Sequence, residues 1–229
     1  MQQSQKTTKG MMMMPIVTGR EYRVVSSLLM PAAENTTKRL NSNYYVEGYA
    51  TTFTRYLLWE YKEEGIGRSH KFYEEIAPGA LQGTDMSDVI MQYDHTGKVL
   101  ARQRNNTLGI EADEKGLFVY ADLSKSTAAK DLYEEITAGL IDRMSWAFTI
   151  AQQSHERIEE HGQVVHIRKI EKIEKVYDVS AVSIPANDGT EISARSFVER
   201  SIQQEQQEQL GLKVRILKLK LKTEGLQCD

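Results

Sequence analysis

One cysteine occurs in 229 residues, Cys228, which excludes an intrachain disulfide and a cysteine-built metal site. A lone thiol suits a reducing compartment. No segment approaches the roughly 18 consecutive apolar residues that a membrane-spanning helix requires, so no membrane partner is expected. Charge of neither sign prevails: Lys and Arg number 29 and Asp and Glu 32, a net charge of −3. That bias is too small to imply nucleic acid or an acidic substrate. The opening residues, MQQSQKTTKGMMMM, lack the apolar core and small-residue cleavage site of a secretion signal, which argues against export. Neither a cofactor nor a metal is expected.

What is present suits one folded domain with extensions. Hydrophobic residues make up 40% of the chain and charged residues 27%, the balance of a globular protein with one core. The length fits a domain of about 150–200 residues plus tails. Residues 1–20 are polar and then methionine-rich without periodicity, and are expected to be a flexible leader. A body spans 21–188, and a tail expected to be helical spans 189–229. Between Glu191 and Leu221 that tail has no proline and a single glycine, Gly211. Its end, LKVRILKLKLK, mixes apolar alternation with a helical stripe and carries Lys213, Arg215, Lys218, Lys220 and Lys222. Such a segment can bind a membrane, an acidic partner or its own domain, or remain a solvated tail.

Within the body, strand patterns dominate. Tyr45–Phe53 is rich in aromatic and β-branched residues, and Lys71–Ile76 runs into a Pro78-Gly79 turn. Thr107–Ala112 and Leu117–Leu123 flank Asp113-Glu114-Lys115-Gly116, a hairpin turn. Ser124 is placed to cap a helix over Lys125–Ala138, with Leu132, Ile136 and Leu140 on one face and Gly139 at its end. Ile141–Ile150, Val164–Ile170 and Val176–Ile184 read as further strands. The expected class is α+β, a mainly β body with helices packed on it.

Three segments carry residues suited to acyl transfer: Asp94-His95, Met144-Ser145-Trp146 and Tyr177-Asp178-Val179-Ser180. A hydroxyl, an imidazole to take its proton and a carboxylate to orient the imidazole are what a nucleophilic serine needs. Taken singly each has a plainer reading. A serine on a strand is ordinarily a small packing residue, and no G-x-S-x-G elbow surrounds Ser145. A histidine at a strand end usually lies on the surface. Asp178 is odder, because a carboxylate inside an apolar strand needs a partner to offset desolvation.

Together the segments are far more specific. EGYATTF, FYEEIAPGAL, DVIMQYDHTGKVLAR, LGIEADEKGLFVYADLSKSTAAKDLYEEITAGLIDRMSWAF and YDVSAVSIPAND occur in that order between about Tyr45 and Asn187. This stretch resembles the prohead protease family of tailed bacteriophages, which is related in fold to the herpesvirus assembly proteases. The resemblance implies a β-barrel flanked by helices, with His95 and Ser145 as catalytic residues. The third position falls on Asp178, where the herpesvirus enzymes have a second histidine. His166, in VVHIRKI, and Glu171 are the rival candidates. Many members have Asn-His-Asp where this chain has Asp94-His95-Thr96, and a glycine where it has Ala147; neither change removes a reacting group.

The resemblance further implies a serine endopeptidase that cleaves the scaffolding part of the major capsid protein, and itself, inside the procapsid in the host cytoplasm. Its implied partners are the capsid protein, its scaffolding domain and a second copy of the chain, as a dimer, and it would be absent from the mature virion. A non-enzymatic scaffold or capsid-assembly factor is the contrasting reading. It would be expected to lack His95 or Ser145, and both are present. Backbone amides, or an arginine such as Arg143 or Arg102, are the candidate oxyanion donors.

Overall fold

The computed structural model describes residues 7–13, 19–31, 37–62, 67–160, 162–183, 203, 207 and 210–220. The chain divides into two compact units, Met1–Glu191 and Ile192–Asp229. Strand accounts for 55% of the structure, as expected for a mainly β α+β protein.

The first unit is built on one long antiparallel hairpin, β11 (Arg143–Glu160) and β12 (Gln163–Val182). Each end of this spine has its own neighbours. At the far end β1 (Thr7–Met13) pairs with β11, while β6 (Ser69–Ile76) lies parallel to β12 and carries β5 (Tyr56–Lys62) on its outer side. At the near end β2 (Glu21–Leu28) pairs with β11. There β7 (Ile90–Tyr93) runs parallel to β12 and turns back antiparallel as β8 (Thr96–Arg102). A second sheet, in the order β3 (Met30–Pro31), β4 (Tyr45–Thr52), β10 (Gly116–Asp122), β9 (Leu108–Ala112), completes the core.

Two findings depart from the sequence expectations. The described strands form two open sheets instead of a closed barrel. The physical reason lies in the spine: several bulges along β11 and β12 let different strands pair at its two ends, so the sheet branches into two wings. And within the segment expected to be a flexible leader, Thr7–Met13 form β1 against β11.

The helix α1 (Thr127–Thr137) is capped by Ser126, whose hydroxyl accepts from the Ala129 amide at 3.1 Å. It buries Ala129, Leu132 and Ile136. Gly139, at φ 72°, ends it and turns the chain. The core joins α1 to both sheets through Val46, Leu117, Val119, Met91, Met144, Trp146 and Phe148, all essentially inaccessible. Burying such a side chain contributes about 1.5–3 kcal/mol. Of the second unit, residues 210–220 are helical. At 3.6 residues per turn the mixed pattern resolves into two stripes, Leu210, Val214 and Leu217 opposite Leu212, Ile216 and Leu219. Basic residues lie between them. Among the described residues no helix is long and apolar enough to cross a membrane.

Candidate active site

The near end of the spine brings His95, Ser145 and Asp178 together. Ser145 lies on β11 between Met144 and Trp146, which face the core and anchor the strand. Alternation turns Ser145 and Ala147 to the opposite face, and Ser145 stands across from Ser180 of β12. Asp178 stands across from Ala147. Tyr177, the next residue, is the extra one of a β-bulge, since Ala147 pairs with Asp178 but Phe148 with Val176. Bulges of this kind re-aim the side chains beside them.

His95 arrives on a different element. Tyr93 of β7 pairs with Thr96 of β8, leaving Asp94 and His95 as a two-residue loop. Both have positive φ, 47° and 57°, the signature of a type I′ hairpin. Because β7 lies beside β12, with Ile90 next to Asp178, the loop projects the imidazole over the site.

His95 Nε2 lies 2.6 Å from Ser145 Oγ, and His95 Nδ1 lies 2.5 Å from Asp178 Oδ1. An ionised carboxylate can only accept, so Nδ1 carries the ring proton and Nε2 is free to accept from the serine hydroxyl. Asp178 Oδ1 also accepts from Ser180 Oγ at 2.8 Å. These two donors answer the question the sequence posed about a carboxylate within an apolar strand, since Asp178 is only 4% exposed. Tyr22 of β2 sets its ring edge-on to the imidazole, with 4.8 Å between centroids. Ala147, fully buried, forms part of the floor between Ser145 and Asp178.

The rival third residues lie elsewhere along β12. His166 belongs to a row of imidazoles, its Nδ1 3.2 Å from His155 Nε2 and its Nε2 3.4 Å from His70 Nδ1, with Phe72 stacked on its ring. Burial first, then the neighbouring imidazoles and Arg157, push its pKa down to about 3. Glu171 accepts from Ser154 Oγ and Gln152 Nε2 at 2.7 and 2.8 Å. At about 3.3 Å per strand residue, the twelve residues from His166 to Asp178 span roughly 40 Å. Of the arginines considered for an oxyanion, Arg102 is held by Asp88 through Nε at 2.8 Å and again through Nη2. Arg143 pairs with its neighbour Asp142.

Sequence reasoning missed Ser180, Tyr22 and Ser183. Ser180 had a usable signal, because it lies two residues from Asp178 and so on the same strand face. Tyr22 had none, since nothing local ties β2 to β7.

Behind the site, on the other face of β2, lies a buried ion cluster. Arg23 bonds Glu74 through Nε and Nη2 at 2.5 and 2.8 Å and also reaches Glu21. Arg168 meets Glu21 at 2.6 Å, Glu74 at 3.0 Å and Gln153 at 2.9 Å. Burial acts to raise the pKa of Glu21, but Arg23 and Arg168 outweigh it and hold it at about 2. Tyr22 lies between Glu21 and Arg23, so the pinned charges on one face fix the tyrosine that touches His95 on the other.

No curated protein and no solved structure matches the chain. A family model described as caudovirus prohead serine protease matches residues 31–208, a span that includes His95, Ser145 and Asp178. The chain belongs to the caudovirus prohead serine protease family, and is a hydrolase of phage capsid maturation.

Proposed function

We propose that Ser145, His95 and Asp178 are the catalytic triad of this protease, and that it cuts the scaffolding part of the major capsid protein and then itself. The observation that supports this reading is the continuous chain Oγ–Nε2, Nδ1–Oδ1 at 2.6 and 2.5 Å. In the first step Ser145 Oγ attacks the scissile carbonyl carbon and its proton passes to His95 Nε2. The tetrahedral species collapses as the C–N bond breaks, and His95 gives that proton to the leaving amine. Water then adds to the acyl-enzyme with His95 as base, and Ser145 departs with its proton restored. Asp178 holds the ring in the required tautomer and stabilises the imidazolium throughout.

A family role in capsid maturation supports action inside the procapsid, against the capsid protein. A dimeric working form, and loss of the enzyme from the finished virion, are parts of the same proposal. Co-expression with the capsid protein tests it. Ser145→Ala should abolish shortening of both proteins, a loss on the order of 10⁶ in turnover. Continued shortening of either protein in that variant would assign the nucleophile elsewhere.

A further inference from the structure

The loop that carries His95 is held in an unfavourable backbone conformation. Two successive non-glycine residues, Asp94 and His95, have positive φ, a region that L side chains keep only where their surroundings hold them there. A return of either to the right-handed region would swing the imidazole off Ser145. Something must therefore over-determine the loop, and the contacts of Asp94 do so. Its amide donates to the Ala181 carbonyl at 2.9 Å. Its carboxylate accepts twice from Ser183, from the amide to Oδ1 at 3.0 Å and from the hydroxyl to Oδ2 at 2.9 Å. Ala181 and Ser183 lie three and five residues beyond Asp178, on and just past the end of β12. The loop that supplies the base is thus fastened to the strand that supplies the acid.

We propose that Asp94 is a positioning residue of the site, clamping the His95 loop onto the end of β12. It touches no reacting atom and acts only through where it holds the imidazole. This inference rests on the triad reading above. Its consequence is that the accepting oxygen and reach of residue 94 matter as well as its backbone freedom. Glycine relieves the strain but cannot bridge Ser183, whereas asparagine tolerates positive φ and keeps one acceptor for the Ser183 amide.

Two readouts on the full chain test the clamp. The first is phosphonylation by a fluorophosphonate, in which the Oγ–P bond forms as P–F breaks, fluoride leaves and His95 Nε2 takes the hydroxyl proton. Asp94→Gly should lower the limiting labelling rate by about 10- to 100-fold, the effect of a displacement near 1 Å, with the half-saturating probe concentration little changed. Asp94→Asn should restore most of that rate. The second readout is the low-field proton resonance of His95 Nδ1–H, which Asp94→Gly should broaden or remove and Asp94→Asn should retain. If the glycine variant does not fold, Ser183→Ala, which deletes one bond, should weaken both signals. A glycine variant with wild-type labelling and an intact resonance would overturn the clamp, as would an unchanged Ser183→Ala. If the wild type is not labelled at all, the triad reading fails, and the resonance still decides the clamp.

Discussion

Ser145 and Ser180 face each other across β11 and β12, both fully buried, and only their partners distinguish them. One hydroxyl meets the imidazole and the other meets the carboxylate. Residue identity is therefore a poor guide at this scale, and the network assigns the roles. Two substitutions follow from it. Asp178→Asn would favour the wrong tautomer of His95 and should lower turnover by about 10⁴ with the fold intact. Ser180→Ala removes one charge-assisted bond, of about 1.5 kcal/mol, and should cost about tenfold in turnover if that support is felt mainly when the imidazolium forms. Steady-state cleavage of the capsid protein by each variant measures both. A larger loss for Ser180→Ala than for Asp178→Asn would reverse the order of importance argued for the two.

At the scale of elements, the strands around Ser145 and Asp178 are legible in the sequence, whereas β2, which brings Tyr22 to His95, is not. Met144, Trp146 and Phe148 alternate cleanly, so the strand around Ser145 was legible. β2 was not, because its core-facing positions are Glu21 and Arg23, which look solvent-exposed until Glu74 and Arg168 are brought from distant strands. The sequence reading has Val164–Ile170 and Val176–Ile184 as two strands, with Glu171–Lys175 between them. Up to Val182 they are parts of one strand, Gln163–Val182, with Ile173 still buried and the charges turned outward, and Ile184 lies outside the described residues. The cap is Ser126 instead of Ser124, because Ser124 lies in the turn that follows β10 and the helix starts only at Thr127, where the Ser126 hydroxyl reaches the Ala129 amide. Leu140, expected on the buried face, is 72% exposed, since the chain turns at Gly139 before reaching it. The ion cluster carries its own prediction. Glu74→Gln leaves Arg23 and Arg168 facing Glu21 alone and should cost about 3–5 kcal/mol. Replacing Glu74 and Arg23 together by leucine and methionine leaves Glu21 and Arg168 balanced, and should cost less than the single change. Denaturant unfolding of the two variants decides this, and a costlier double variant would show that packing, not charge balance, governs the cluster.

At the scale of the whole first unit, two adjoining groups of titratable residues have different acid responses, since Arg168 of the ion cluster stands across from His155 of the imidazole row. The far end holds the imidazole row. Burial, reinforced by Arg157, holds His155 at about 4, and burial with the adjoining imidazoles and Arg157 holds His166 at about 3. Both lie below the value of 6.5 for an unfolded histidine. Between pH 6.5 and 4 the unfolded chain therefore binds protons that the folded chain refuses, and stability falls as pH falls. The slope is about 1.4 kcal/mol per pH unit for each imidazole. Glu21 responds in a lower window. Its folded value near 2 lies below the ordinary 4.5, so its contribution is complete above pH 4.5 and is lost as pH falls through about 2. Acid destabilisation should accordingly begin with the imidazoles, before Glu21 responds. Thermal midpoints should drop steadily between pH 6.5 and 4.5 in the wild type. In His166→Phe, which keeps an aromatic ring against Phe72 but removes the more strongly displaced histidine, the drop should be shallower by about one proton's worth of slope. An identical slope in that variant would exclude His166 as a source of the acid response, and an upward slope toward low pH would reverse the sign argued for the row.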